Sequence, residues 1–546
     1  MVSNGIKMGL KSLFYFLLIF SLFSTTFFGC ASMQQPTGGP KDSIPPKVVK
    51  ETPKNLTRNF KADKIEIQFN EFFKLNNEFK EISISPALER MPIFKVKRNV
   101  LEIRLEDTLE KNTTYSINFG NALADVNESN ILKNYSYVFA TGDVIDSLTI
   151  SGTVINTLTK RPVLDATVFI LPINQDTIFG KRRASIFTTT DSSGNYTLNH
   201  LREGTYRIYA LKEEGGDRIY NSSKELIGFK TDSIRLEKNL TEVDMELFRA
   251  DATDFRVQDR KIENTGRIVL TYNRPLEKPD LQILEPRELN NTKYLEHSKT
   301  RDSAFLWLPK MDFDSLTVVP RDSNVNLDTL TLRKNRKDTY NQDINIADNL
   351  SGGRLKPGSN LELTFSAPIT GFDPGKIKLL EDSVARRAEI IKDTTSFRKY
   401  AIRYRWRGKR EYTLDLGENA FNNNFGGKSK ATTRRFTLED AENYGNLTLN
   451  ITVPDTIQNF VIQLLRGEDE ILRNDVVRGN RTVNYVQYPT GTYYLRVIYD
   501  QNKNGKWDTG NVKDRRQPEP VWNYDKEFTL RANWDLEEKI TIPPLK

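Results

Sequence analysis

The sequence predicts an all-β protein, a row of tandem β-sandwich modules behind a lipoprotein export signal. Three observations carry that prediction. Apolar residues recur at every second position, turn residues interrupt them about every ten positions, and whole strand units reappear further along the chain. Short strands at that spacing, each with one apolar face, are the pattern of sandwiches. Helical periodicity is nearly absent.

The N-terminus comes first. Lys7 and Lys11 precede an apolar run, 13–28, broken only by Ser and Thr and followed by Gly29-Cys30. A short basic stretch, an apolar stretch and a small residue make an export signal with its cleavage point. The run falls short of the ~20 apolar residues that span a bilayer. Residues 1–29 therefore read as a signal peptide, and Cys30 as the lipidated first residue of the mature chain. Cys30 is the only cysteine, so it has no disulfide partner to explain it. Residues 30–45, rich in Pro, Gly and polar groups, read as a lipidated linker.

Five modules follow. In 46–143, Ile65-x-Ile67-x-Phe69, Leu101-x-Ile103-x-Leu105 and Tyr115-x-Ile117-x-Phe119 alternate apolar and polar residues. The first of these strands returns as Ile268-x-Leu270-x-Tyr272 in a divergent unit at 251–346, and as Leu361-x-Leu363-x-Phe365 in a unit at 352–440. A different module occupies 146–248. It contains the turn signal Asp191-x-x-Gly194-Asn195 and a strand opening on Gly204-Thr205-Tyr206. Gly491-Thr492-Tyr493 repeats that opening, so 444–546 reads as its second copy.

Cys30, the Pro36 to Pro46 linker, the Ile65-x-Ile67-x-Phe69 strand and the closing Phe139-Ala140-Thr141-Gly142 together resemble Ig-like-domain lipoproteins of Bacteroidota. The resemblance implies a bacterial Ig-like first domain. It also implies that 146–248 is a carboxypeptidase regulatory-like domain with a prealbumin-type sandwich. On the repeats, 251–346 and 352–440 are then Ig-like, and 444–546 is prealbumin-like. The lineage implies an outer-membrane lipoprotein, with the cell surface expected. The acidic residues that often follow the cysteine of surface-exported relatives are missing from 31–35, which leaves the periplasmic face open.

Charge argues against nucleic acid. Of 80 Lys and Arg, two leave with the signal, so 78 face 72 acidic residues, a net +6 spread over five modules. Catalytic signatures are thin. Only His200 and His297 exist, and both read as ordinary surface residues; the adjacent acids Glu213-Glu214 and Glu537-Glu538 point to opposite faces of a strand. A regulatory-like fold does not itself carry peptidase activity.

Two constellations remain, both in the last module. Asp500-x-Asn502-x-Asn504-Gly505-x-x-Asp508 places oxygen donors at alternate positions around a glycine, the spacing of a weak structural calcium loop; the plainer reading is a polar hairpin. Trp507, Trp522, Tyr524 and Trp534 concentrate the aromatics, as core residues or as a surface for a partner or a glycan. The expected function is a non-enzymatic accessory subunit of an outer-membrane complex, the β-barrel assembly machinery being the most specific candidate. Its expected partners are an outer-membrane β-barrel or other envelope protein, and the membrane through its lipid, with no cofactor required. The alternative is a surface adhesin or glycan binder that uses the C-terminal aromatics.

Overall fold

The computed structural model describes residues 42–545 apart from Ala87, Thr253, 335–337, Gln342 and Glu468. The signal segment and Cys30 lie outside the described residues. No described helix is long and apolar enough to cross a membrane.

The alternating segments form the expected strands. Ile65, Ile67 and Phe69 are fully buried in strand Lys64–Phe69, and so are their counterparts Ile268, Leu270 and Tyr272, and Leu361, Leu363 and Phe365. Period two turns the apolar set inward and the intervening polar set outward. Each such side chain contributes about 1.5–3 kcal/mol.

Three modules share one topology. In the first, Val48–Thr52, Lys64–Phe69, Val100–Arg104 and Ile93–Lys97 make one antiparallel sheet in that order, and Ser83–Ser85, Thr114–Asn118 and Ser136–Ala140 make the facing sheet. This is the four-plus-three strand order of a seven-stranded immunoglobulin sandwich. The same order recurs with Val257–Ile262, Ile268–Tyr272, Ser303–Trp307 and Tyr294–His297 opposite Pro279–Glu285, Ser315–Asp322 and Leu330–Arg333. It recurs again around Leu361–Phe365, where the facing sheet carries one extra strand at each edge and has five. The divergent unit is thus a full copy.

The second and fifth modules share another order. Leu148–Asn156 pairs antiparallel with Asn195–Leu201 and parallel with Met245–Arg249; Tyr444–Thr452 pairs likewise with Arg481–Pro489 and Asp535–Thr541. Thr167–Pro172 lies between Ile186–Thr189 and Gly204–Lys212, as Asn459–Arg466 lies between Glu470–Val477 and Gly491–Asp500. The predicted Asp191 turn forms, with Asp191 Oδ1 accepting from the amides of Ser193 and Asn195. Gly194 stands there at φ 76°, where a Cβ would meet the Val154 carbonyl oxygen at 2.5 Å.

Both histidines depart from the expectation of ordinary surface residues. His297 closes a strand, and burial pushes its pKa down. His200 sits in strand Asn195–Leu201 at φ 56°, beside a register break, with Nδ1 buried and unpartnered. Neither position lies in a loop, because the polar residues around them still belong to strands.

Side chains fix the module junctions. Strand Ile186–Thr189 is an edge of its sheet, and the first module seals it. Ser83 Oγ donates to the Ser185 carbonyl (3.1 Å), Asn118 Nδ2 to that of Phe187 (2.7 Å), and the Asn134 amide bonds both backbone groups of Thr189 (3.3 Å each). Covering an edge in this way removes a template for unwanted strand pairing. Between the third and fourth modules, the Glu296 carboxylate accepts from Ser396 Oγ, the Phe397 amide and Arg398 Nε, while the Arg398 guanidinium lies 5.0 Å from the Trp307 ring centre.

Candidate functional site

Gly491–Asp500 is the strand that ends on the predicted calcium loop, and the loop runs from there to Val521–Asn523. The residues singled out from the sequence do meet. Asp500 is fully buried, its two carboxylate oxygens accepting from the amides of Asn504 (3.0 Å) and Gly505 (2.9 Å). Asn502 and Asn504 each donate a side-chain N–H to Asp508 Oδ2 at 2.6 Å. Glu519, which sequence reasoning missed, completes the knot by accepting from the amides of Gln501 and Asp508. Burial pushes the Glu519 carboxyl up, with Asp508 and Asp500 adding to the effect. The oxygens thus serve the loop's own N–H groups, and among the described residues no cluster of three or more His, Cys, Asp or Glu is placed to hold a metal ion.

That knot holds out the rest of the loop, which lands on the second module. Arg515 is the centre of the contact. Its Nε donates to the Thr231 carbonyl (2.9 Å), Nη2 to the Lys230 carbonyl (2.6 Å) and Nη1 to Tyr209 Oη (3.1 Å). Its guanidinium lies 5.3 Å from the Phe229 ring centre and 5.7 Å from that of Tyr209. Tyr209 in turn donates to Asp176 at 2.7 Å, and burial pushes its phenol up to about 12. A planar guanidinium offers its donors in a fixed fork while its face covers a ring, so one side chain satisfies both surfaces.

Around Arg515, Gln517 Nε2 donates to the Phe229 carbonyl (2.7 Å), Thr509 Oγ1 to that of Arg249 (2.6 Å) and Asn523 Nδ2 to that of Leu158 (2.8 Å). Gly510 meets Phe248 so closely that a Cβ would stand 2.4 Å from its ring. Lys506 reaches a further module, donating to Glu277 at 2.6 Å. The second to fifth modules therefore close on themselves, the last touching the second and third.

The predicted aromatics are not one surface. Trp507 packs into the junction between the second and fifth modules, its Nε1 donating to the Glu519 carbonyl. Trp522 and Tyr524 pack against the core of the fifth module, and Tyr524 stacks on Phe528. Trp534 is 54% exposed, with the Arg531 guanidinium 5.1 Å from its ring centre. The signal that could have exposed the docking loop was its length, greater than that of the equivalent loop at 213–225, together with Gly510 inside it.

Residues 42–141 match the bacterial Ig-like domain, and residues 149–222 match the carboxypeptidase regulatory-like domain. The first two modules are therefore of the kinds the resemblance implied. No curated protein matches the chain. Among solved structures it is similar to the Bacillus anthracis TIE protein (9% identity, 93% of this chain, 76% of that one, TM-score 0.14). It is also similar to the S-layer protein rSbsC (13%, 90% and 68%, TM-score 0.15) and to BcpA, the major pilin subunit of Bacillus cereus (9%, 72% and 99%, TM-score 0.14). Scores this low carry no argument about what this chain does.

Proposed function

We propose that the chain is a non-enzymatic outer-membrane lipoprotein, held by acylated Cys30, that serves as a structural accessory subunit of an outer-membrane protein complex. The observation that carries this reading is the closure of the second to fifth modules through Arg515 and its neighbours. A rigid body pays little ordering entropy when a partner docks on it, which suits a scaffold. The first module joins that body through the sealed edge at Ile186–Thr189 and leaves Phe72 and Phe79 exposed. The β-barrel assembly machinery is the specific complex proposed, with a β-barrel protein as partner. Affinity purification of the tagged native chain from gently solubilised membranes should bring a β-barrel protein with it; recovery of the lipoprotein alone would overturn the reading.

No cofactor is needed in this role. A weak structural calcium, if bound, would be held by Asp500, Asn502, Asn504 and Asp508, and would stiffen the root of the docking loop. Exposed Trp534 is the observation that favours the second reading, a surface adhesin or glycan binder.

A further inference from the structure

We propose that the cleft between the first and second modules binds a neutral oligosaccharide. The cleft encloses about 560 Å³, within the about 300–1,000 Å³ of small-molecule sites, and lies at a module junction, a usual place for them.

Its walls explain the ligand class. Strand period two buries Tyr115, Ile117 and Tyr137 in the core of the first module and turns Thr114, Ser116, Asn118 and Ser136 to the other face of the sheet. All four line the cleft. The second module supplies Asn199, His200, Arg202 and Tyr206. Hydroxyls and amides both donate and accept, which matches the hydroxyl groups of a sugar. The charged lining residues are Glu110, Asp146 and Arg202, two acids to one base, a poor balance for a phosphate or a sulfated sugar. An apolar ligand would take the Ser116 and Asn199 side chains out of water with nothing to bond, which costs about 1–3 kcal/mol each.

An extended peptide is also disfavoured. It would pair with a free strand edge, and two edges line this cleft. That of Ile186–Thr189, with Ser185 before it, is already occupied by Ser83, Asn118 and Asn134, while that of Asn195–Leu201 is interrupted by its register break. Those same bonds, with the Asp146 amide donating to Thr114 Oγ1 at 2.9 Å, hold the two walls in fixed register. His200 gives a second, independent sign. Its left-handed backbone sits beside a register break, and its Nδ1 is buried with no partner. Breaks of register and backbone strain gather at binding sites, and His200 itself lines this cleft.

The test is titration of the full chain with maltose, cellobiose and N,N′-diacetylchitobiose, and with a sulfated heparin disaccharide as the charged control. Binding is read by saturation-transfer NMR and calorimetry. At least one neutral disaccharide should bind. Ser116→Trp, which fills the cleft, should weaken it at least about tenfold, and His200→Ala about threefold to tenfold with an unchanged melting temperature. Trp534→Ala should leave binding as it was. Failure of all three neutral sugars at about 10 mM would overturn the proposal. So would preference for the sulfated control, survival of binding in both cleft variants, or its loss in Trp534→Ala.

Discussion

The second and fifth modules share a strand order but use the same loop for different joints. In the second, the loop after Gly204–Lys212 carries Arg218, whose guanidinium lies 4.1 Å from the Phe187 ring centre. In the fifth, the loop after Gly491–Asp500 carries Arg515 over Phe229 and Tyr209. The rings are alike; the partners are not. Arg515 donates to two carbonyls and a phenol. Arg218 stands 4.0 Å from Glu81 of the first module, and its Nε and Nη1 are buried without partners. Burial accordingly lowers the Arg218 pKa, with Glu81 opposing the shift. The difference teaches that an arginine on an aromatic face becomes a strong joint only where the opposite surface supplies acceptors in the plane of the fork.

The largest effect should come from breaking the better joint. Arg515→Ala removes three donated hydrogen bonds and two ring contacts, about 3–4 kcal/mol of coupling between modules. Small-angle scattering should show a larger radius of gyration, and a separate lower-melting transition should appear. Unchanged scattering would mean that Arg515 does not hold the modules together.

Gly510→Ala should loosen the same joint less. Its Cβ would lie 2.4 Å from the buried Phe248 ring and 2.8 Å from the Arg516 carbonyl oxygen, an overpacking cost of about 1–3 kcal/mol. Amide exchange along Leu226–Phe229 should quicken, and Phe248→Ala in the same chain should restore part of the protection. Exchange equal to that of the unsubstituted chain would show that the contact tolerates a methyl.

These two positions also mark where sequence reading stops. The Ile65, Ile268 and Leu361 strands were legible because burial of one sheet face imposes period two on neighbouring residues, a local constraint. The turn at Asp500 was legible for the same reason, since its ligating atoms serve amides a few residues away. Arg515 bonds residues far earlier in the chain, and nothing in its neighbours encodes that distance. Glu519 was missed although it closes the Asp500 knot, because it approaches from the far end of the loop. Trp507 drew attention as an aromatic; that it fills a module junction depends on which surface folds back over it.

The weaker joint should respond differently. Arg218→Met replaces a poorly partnered buried cation with an apolar chain of similar reach, so stability should change by no more than about 1 kcal/mol, or rise. Urea unfolding of Arg218→Met beside Arg515→Met measures the contrast directly. Equal losses in the two would erase the distinction between the joints.

The smallest effect is a pH dependence in the second module's loop. Burial, with Asp217 beside it, pushes Glu213 up to about 7 from an ordinary value of 4.5. The folded chain then holds this proton more tightly than the unfolded one. Its contribution to stability is complete below pH 4.5 and is lost as pH rises through about 7. Glu213→Gln should flatten that part of the stability curve, and a curve of the same shape in the variant would contradict the assignment.

Zero-length carbodiimide crosslinking followed by peptide mapping tests the closure of the second to fifth modules most directly. Lys506 Nζ lies 2.6 Å from Glu277 and 3.7 Å from Asp508, so it has a distant acid and a local one within reach. The closed arrangement predicts an amide between Lys506 and Glu277 within single chains at high dilution. Coupling of Lys506 to Asp508 alone, with no peptide from the third module attached, would contradict it.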